Sequence, residues 1–305
     1  MNKRYVKSID KEVSEIGFGS WQLADNNTWG TMSEKEAIAL VKEAYKKGVN
    51  MFDTAPGYGG GSSEKILGKA LKGVREHVVI NTKVGHGPNG EYEFTEEGIR
   101  TSIQRSMKNL QTNYLDSVIL HNPNKTIQEG DSPLIDELRN AKQSGLIKGW
   151  GFSIDSLDEL KLVLENNDDV DTIEIMFNII HQDPKYLFNE ILNRGIFLII
   201  KVPLDSGWLT GKYNKNSTFT GIRDRWTQDV KDIRSYIVNE IRKIIGDSAM
   251  SKEALRFILS FHQVSTVIPG TKNIEQLESN VSATNYMMDF DTKMKLEELY
   301  EHQIK

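Results

Sequence analysis

Residues 50–61 contain the first side chains of this chain that could carry out chemistry together. A short apolar run ends in the carboxylate of Asp53, and a glycine-rich loop then presents one phenol, that of Tyr58. A phenol has an ordinary pKa of ~10 and is a weak acid at neutral pH. A neighbouring cation would lower that pKa, and a carboxylate can hold such a cation in place. The stretch therefore predicts a proton donor that needs a cation from elsewhere in the chain.

The next two predicted strands end in a cation and a further polar group. Lys83 ends one apolar run and His121 ends the next. Each residue taken alone has an ordinary structural explanation, since Asp53 could cap a helix and Tyr58 could be a packing residue. Lys83 could be a solvated strand end, and His121 could bond backbone groups in a turn. Four compatible groups at the ends of adjacent strands nevertheless favour one common catalytic site.

The elements that must position these four residues alternate regularly along the chain. Strands and helices follow each other in units of about 38 residues, which is the proportion of an α/β fold of the (β/α)8 TIM-barrel type. The predicted strands cover residues 16–19, 51–53, 78–83, 117–121, 148–153, 172–177, 197–202 and 265–269. The predicted helices cover residues 33–48, 62–71, 95–110, 132–144, 187–193 and 273–284, and another begins at residue 156. In such a barrel the chemistry lies at the carboxyl ends of the strands.

A hairpin and a tail helix complete the predicted fold. The N-terminal β-hairpin would pair residues 5–9 with residues 12–15, and the C-terminal tail helix would cover residues 291–302. No shift in composition marks a second domain. We therefore predict a single barrel domain over residues 1–305.

Local signals support two helix starts and one functional loop. Ser33 with Glu36, and Ser156 with Glu159, have the spacing of capping boxes, which satisfy the free backbone amides at a helix start. Residues 204–232 form the longest irregular stretch, and its length is typical of a loop with a function.

The composition is that of an ordinary globular protein and excludes several function classes. The chain has 305 residues, of which 27% are charged, a net charge of -5 and no cysteine. Disulfides, thiolate metal sites and a cysteine nucleophile are therefore excluded. The acidic balance argues against a nucleic-acid surface, and neither a signal peptide nor a run of ~18 apolar residues for a membrane span is visible. We expect a cytoplasmic protein with a small-molecule partner and without nucleic-acid or membrane partners.

Taken in order, these residues resemble the aldo-keto reductase family over nearly the whole chain. The resemblance rests on residues 13–19, 52–55, 58–59, 82–83, 120–121, 207–213, 268–270 and 280. It implies a carbonyl reductase that uses a nicotinamide cofactor, NADP(H), without a metal. It implies that Tyr58 donates a proton to the carbonyl oxygen while Lys83 lowers its pKa. Asp53 would orient Lys83, and His121 would position the substrate.

The same resemblance implies binding residues around the barrel mouth. Trp21 matches a position that lines the substrate pocket, and Trp29 lies on the loop of residues 24–31, which would shape that pocket. Arg223 and Arg225 on a second loop could meet an acidic substrate or the cofactor's phosphates, or could simply be solvated. The implied cofactor-binding residues are Gly19, Ser20, Ser153, Glu174, Lys201, Pro203, Leu204, Ser206, Gly207, Leu209, Gly211, Lys212, Gly270, Thr271, Lys272, Gln276 and Asn280.

Lys272 bears on the choice between the two nicotinamide cofactors. As a loop lysine it could be solvated, but a positive charge also suits the adenosine phosphate of NADP. No Gly-x-Gly-x-x-Gly dinucleotide motif is present. The family binds its cofactor extended across the barrel rim, so the resemblance does not require that motif.

Three positions depart from the family's usual nicotinamide pocket. Ile154 follows Ser153 where an asparagine is usual, Glu174 replaces a glutamine on strand six, and Lys201 replaces an aromatic residue on strand seven. Asn178 is retained nearby. One hypothesis is that Glu174 and Lys201 form an ion pair, since opposite charges offset the cost of burying either one. In the alternative, Lys201 points to solvent and Glu174 pairs elsewhere.

Three functions are compatible with these residues. The first is an NADP(H)-dependent reductase of aldehydes or ketones. The second is a cofactor-binding regulatory protein, because the chain also resembles potassium-channel β subunits. The third is a lyase or aldolase with Lys201 as a Schiff-base amine. The four residues Asp53, Tyr58, Lys83 and His121 favour the reductase.

Overall fold

A computed structural model of the protein describes residues 1–24, 29–247 and 249–305. The strands are β1 (Lys3–Val6), β2 (Lys11–Ser14), β3 (Phe18–Gly19), β4 (Met51–Asp53), β5 (Val79–Val84), β6 (Leu115–His121), β7 (Ile147–Ile154), β8 (Thr172–Met176), β9 (Phe197–Lys201) and β10 (Thr266–Val267). The α-helices are α1 (Glu34–Lys46), α2 (Ser62–Ala70), α3 (Glu96–Leu110), α4 (Lys125–Gln128), α5 (Pro133–Gln143), α6 (Leu157–Asn166), α7 (Phe188–Arg194), α8 (Gln228–Ile245), α9 (Met250–Leu259), α10 (Ile274–Ser282) and α11 (Phe290–Leu299).

Eight parallel strands in the described part of the chain form one sheet in the order β3 to β10. The sheet closes on itself, because Ile16 bridges Val267 and Gly19 bridges Gly270, both in parallel. The amide of Gly17 donates to the carbonyl of Val267 at 2.8 Å across this seam. Helices lie between successive strands, so the predicted (β/α)8 barrel is confirmed.

The N-terminal hairpin covers the end of the barrel that lies opposite the carboxyl ends of the strands. β1 pairs antiparallel with β2 from Lys3 opposite Ser14 to Val6 opposite Lys11. Val6 buries its side chain in one apolar cluster with residues of β4, β5 and β9. The predicted hairpin is therefore confirmed, although its first strand covers Lys3–Val6, because Lys7–Ile9 form a 3-10 helix that Asp10 ends in a left-handed conformation with φ of 50°.

The helix starts follow the local signals of the sequence. Both capping boxes form, and in the first the hydroxyl of Ser33 accepts from the amide of Glu36 at 3.3 Å. Asn273 caps α10 by accepting from the amide of Gln276 at 2.9 Å. The irregular stretch predicted for residues 204–232 is shorter, because Thr227 caps α8, which begins at Gln228. Every helix in the described residues is too short or too polar to traverse a bilayer.

Gly151 lies where β7 and β8 approach too closely for a side chain. An added Cβ atom would overlap the carbonyl oxygen of Thr172 on the neighbouring strand. We expect Gly151→Ala to lower the free energy of unfolding by about 3 kcal/mol, measured by urea denaturation. Gly57→Ala is the control, because its Cβ would meet only the carbonyl of Gly87 at 3.7 Å. Equal stability of the two variants would contradict this account of the strand contact.

Candidate active site

The carboxyl ends of three adjacent strands bring the predicted catalytic residues together. Asp53 ends β4, Lys83 lies on β5 and His121 ends β6, while Tyr58 lies on the loop after β4. The Nζ atom of Lys83 lies 2.7 Å from both carboxylate oxygens of Asp53. The same Nζ atom lies 3.3 Å from the hydroxyl of Tyr58. The structure thus supplies the cation that the phenol needs.

Tyr58 is held by the side chains of Lys83, Trp21 and His121. The ring of Trp21 stacks on it with centroids 5.9 Å apart, and the ring of His121 meets it edge-on at 6.4 Å. Burial raises the pKa of the phenol above its ordinary value, and the ammonium of Lys83 acts in the opposite direction. Tyr58 is therefore protonated at neutral pH and has a proton to donate.

A second buried carboxylate contacts the same lysine. Oε2 of Glu174 on β8 lies 3.4 Å from Nζ of Lys83, and the side-chain amide of Asn81 donates to Glu174 and to Asp53. Asn81 was not among the predicted site residues. It lies two residues before Lys83 on β5, and this spacing places the two on one face of the strand, which could have indicated it.

The two carboxyl groups lie around one buried ammonium, so they titrate as a pair. Burial and the neighbouring charge of Glu174 raise the pKa of Asp53 to about 8. Burial acts in the same direction on Glu174, but Lys83 and Lys201 outweigh it and lower the pKa of that carboxyl. Burial opposes the charge of Lys83, yet both carboxylates outweigh it and raise its pKa, so the amine is an ammonium.

His121 is a neutral imidazole at the edge of this cluster. Burial, and then the charge of Lys83, lower its pKa to about 3. The ring of His86 meets it edge-on at 5.8 Å. A neutral imidazole can donate one hydrogen bond to a substrate oxygen without competing with Tyr58 as the acid.

The hypothesis of a direct ion pair between Glu174 and Lys201 is wrong. In the described part of the chain Lys201 pairs instead with Asp155, at 2.9 Å, and donates to the hydroxyl of Ser153 at 2.9 Å. Ser153 in turn donates to Glu174 at 2.9 Å, so one hydroxyl separates the two charges. The reason is register, because Lys201 pairs with Met176, two residues nearer the rim than Glu174.

The implied cofactor residues lie along the rim in two main groups. The first follows β9, where Val202 and Ser206 have φ of 52° and 53°. A β-branched residue in this region costs about 1–3 kcal/mol and is characteristic of functional sites. Ser153, Glu174 and Lys201 are joined to one another by the contacts given above, and Lys201 ends β9 directly before this group.

The second group follows β10 and opens α10. The amide of Lys272 donates to the side chain of Gln276 at 2.9 Å, and Asn280 donates to Thr271 at 3.2 Å. Lys272 is exposed and available to an anion. Gln22, which lies against Gly270, has a buried side-chain oxygen with no hydrogen-bond partner among the described residues. An unsatisfied acceptor next to a cationic loop fits a ligand that carries amine donors and phosphate.

Two tryptophans extend the site beyond Tyr58. Trp21 meets Trp29 edge-on at 5.7 Å, and the guanidinium of Arg223 lies 4.7 Å from the ring centre of Trp29. Arg223 also donates to the hydroxyl of Tyr213 at 2.8 Å. The implied pocket loop of residues 24–31 includes residues 25–28, which lie outside the described residues. In the described part of the chain, no three His, Asp or Glu side chains are grouped so that they could hold a metal ion.

Comparison with known proteins identifies the family to which this chain is similar. A sequence model described as "Aldo/keto reductase family" matches residues 15–301. L-galactose dehydrogenase from Arabidopsis thaliana is 28% identical, with 98% of this chain and 94% of the relative covered. A protein of the same plant named "Probable voltage-gated potassium channel subunit beta" is 29% identical, with 90% and 88% covered. The holo form of an aldo-keto reductase from Bacillus halodurans superposes with a TM-score of 0.80 at 25% identity, over 100% of both chains.

Proposed function

This chain belongs to the Aldo/keto reductase family, and from that premise we propose that it reduces an aldehyde or ketone to an alcohol with NADPH. The observation that carries the proposal is the contact of Lys83 with both Asp53 and Tyr58, at 2.7 Å and 3.3 Å, at the carboxyl ends of the strands. The oxidoreductase activity is a property of the family, whereas the roles of these residues are our proposal.

The side chains at the site divide the chemistry among themselves. The nicotinamide cofactor supplies the hydride when it is bound. Tyr58 donates its hydroxyl proton to the carbonyl oxygen as negative charge develops there. Lys83 stabilises the phenolate that remains, and Asp53 keeps Lys83 charged and oriented. His121, as a neutral donor, holds the carbonyl oxygen in reach of Tyr58.

The site fits a phosphorylated nicotinamide cofactor through groups on the rim. Lys272 supplies a positive charge for an adenosine phosphate, and the loop after β9 would cover the pyrophosphate. The unsatisfied oxygen of Gln22 would accept from an amine of the cofactor. Gln276 holds the backbone of Lys272 in place at 2.9 Å, which keeps the lysine next to the start of α10.

We expect tighter binding of NADPH than of NADH, because Lys272 can contact the 2′-phosphate that NADH lacks. Lys272→Met should weaken NADPH binding by about 1 kcal/mol and leave NADH binding unchanged, since an exposed ion pair is worth that much at most. Fluorescence titration with both cofactors at one ionic strength measures this. Lys161→Met on the exposed face of α6 is the control. Equal dissociation constants of the parent for both cofactors would count against the proposed contact.

The regulatory alternative is supported by the relative named as a channel subunit, at 29% identity. Such a protein would bind NADPH without rapid turnover. The lyase alternative requires a neutral amine on Lys201. The amine of Lys201 is already held by Asp155 and by the hydroxyl of Ser153, both at 2.9 Å, and this engagement argues against that role.

One experiment separates these functions. The protein is incubated with NADPH and a panel of aldehydes and ketones, and cofactor absorbance is followed. Oxidation of NADPH with stoichiometric alcohol formation supports the reductase. NADPH binding without turnover supports the regulatory protein instead. Absence of NADPH binding contradicts both.

A further inference from the structure

A line of polar contacts leads from the phenol of Tyr58 into the barrel. Tyr58 contacts Nζ of Lys83 at 3.3 Å, and Lys83 contacts Oε2 of Glu174 at 3.4 Å. The side chain of Lys83 is 1% exposed and that of Glu174 is 2% exposed. Bulk water therefore has almost no access to the side chains of Lys83 and Glu174, which form the inner part of this line.

The line continues from Glu174 to the surface on the far side of the lysine. Ser153 donates its hydroxyl proton to Oε1 of Glu174 at 2.9 Å, and Lys201 donates to that hydroxyl at 2.9 Å. Lys201 pairs with Asp155 at 2.9 Å, and the side chain of Asp155 is 55% exposed. Lys201 donates to Ser153 and Ser153 donates to Glu174, so both hydrogen bonds run in the direction needed to bring a proton from solvent to Glu174.

We propose that Glu174 and Asp53 share a proton that returns to Tyr58 through Lys83, and that Ser153 and Lys201 replace it from solvent. The proposal rests on the proposed function, because a phenolate arises only when Tyr58 has protonated a substrate. Glu174 acts through Lys83 and does not touch the reacting atoms, so it is a positioning residue.

The proton transfers balance, and they break and form only N–H and O–H bonds. An N–H bond of Lys83 breaks as the O–H bond of Tyr58 forms, and the carboxyl pair then returns a proton to Lys83. The carboxylate takes the hydroxyl proton of Ser153, which is restored from the ammonium of Lys201. A hydronium ion or buffer acid near Asp155 reprotonates Lys201. The net result is one proton moved from solvent to the phenolate, with no electron transferred.

The groups around Glu174 support a shared proton at neutral pH. The titratable side chains that face it from neighbouring strands and loops are Asp53, Tyr58, Lys83, His121 and Lys201. His121 is excluded as the store, because its pKa of about 3 leaves it neutral. Burial and the charge of Glu174 raise the pKa of Asp53 to about 8, so the carboxyl pair keeps its proton until the pH rises through that value.

The shared proton is tested first on the protein without cofactor or substrate. Infrared difference spectra across a pH titration report the carbonyl stretch of a protonated carboxyl. We expect one such band at neutral pH that disappears as the pH rises through about 8, and we expect Glu174→Gln to lack it at neutral pH. A parent protein without the band, or a Glu174→Gln variant that keeps it, overturns the proposal.

The supply route is tested by turnover at saturating NADPH. Lys201→Met should lower the rate by about a hundredfold in dilute buffer, the lower end of what a positioned proton-transfer group contributes. A small buffer acid such as imidazolium should restore the rate in this variant and have no effect on the parent. Lys148→Met is the matched control, because Lys148 lies at the other end of β7 and pairs there with Asp116.

The outcomes separate this proposal from the proposed function. A Lys201→Met variant whose rate does not depend on buffer acid overturns the supply route while the reductase stands. A parent that reduces no carbonyl contradicts the reductase, and the route then falls with it because no phenolate is formed. In either case, infrared titration of the unliganded protein shows whether Asp53 and Glu174 share a proton.

Discussion

Tyr58→Phe is expected to lower the rate of carbonyl reduction by about 10²–10⁴-fold, the usual contribution of general acid catalysis. The substitution removes only the hydroxyl, which lies 3.3 Å from Lys83. The ring that stacks on Trp21 at 5.9 Å remains, so the shape of the site is kept. Steady-state kinetics measure the rate, and fluorescence titration should show that NADPH binding is unchanged.

The control for this substitution is a tyrosine that lies away from the site. Tyr286 is 73% exposed on the segment before α11, and Tyr286→Phe should leave both rate and cofactor binding as in the parent. Turnover of Tyr58→Phe within a factor of a few of the parent would mean that another group donates the proton. His121 would not be that group, because its pKa of about 3 keeps it neutral.

The four residues Asp53, Tyr58, Lys83 and His121 could be brought together from the sequence alone. Asp53, Lys83 and His121 each lie at the end of an apolar run, Tyr58 lies on the loop after the first of these runs, and the carboxyl ends of parallel strands in a barrel share one rim. The capping boxes at Ser33 and Ser156 also gave the correct helix starts, because the signal is local. Local patterns combined with one rule of topology were sufficient for this part of the site.

The contacts inside the barrel could not be predicted in the same way. Glu174 lies on β8 and contacts Lys83 on β5, and these strands are not neighbours in the sheet. The sequence shows which residues point inward, but the side chains that meet across the interior depend on strand tilt and register. The same limit explains why the prediction of an ion pair between Glu174 and Lys201 was wrong. Lys201 lies two residues nearer the rim than Glu174 and pairs with Asp155, and no pattern in the sequence indicates this offset.

Lys83→Met is expected to destabilise the folded protein by about 3–5 kcal/mol at neutral pH and to abolish turnover. The substitution leaves Asp53 and Glu174 buried without the ammonium that both contact, and an unpaired buried charge costs this much. Without the ammonium both carboxyls must be protonated in the folded state, so the pKa of Asp53, already about 8 in the parent, rises further and that of Glu174 rises instead of falling. The variant should therefore lose more stability than the parent as the pH rises above the ordinary carboxyl pKa values of 3.8 and 4.5, measured by urea denaturation across pH.

The control and a second variant show whether the lost ammonium is the cause. Lys142 also pairs with a carboxylate, Asp171, at 2.7 Å, but its side chain is 39% exposed. Lys142→Met should therefore cost no more than about 1 kcal/mol, as exposed pairs do. Adding Glu174→Gln to Lys83→Met removes one of the two stranded carboxyls and should restore part of the lost stability. A Lys83→Met protein as stable as the Lys142→Met control at every pH would show that the carboxyls do not depend on Lys83, and the account of a proton shared around it would fail as well.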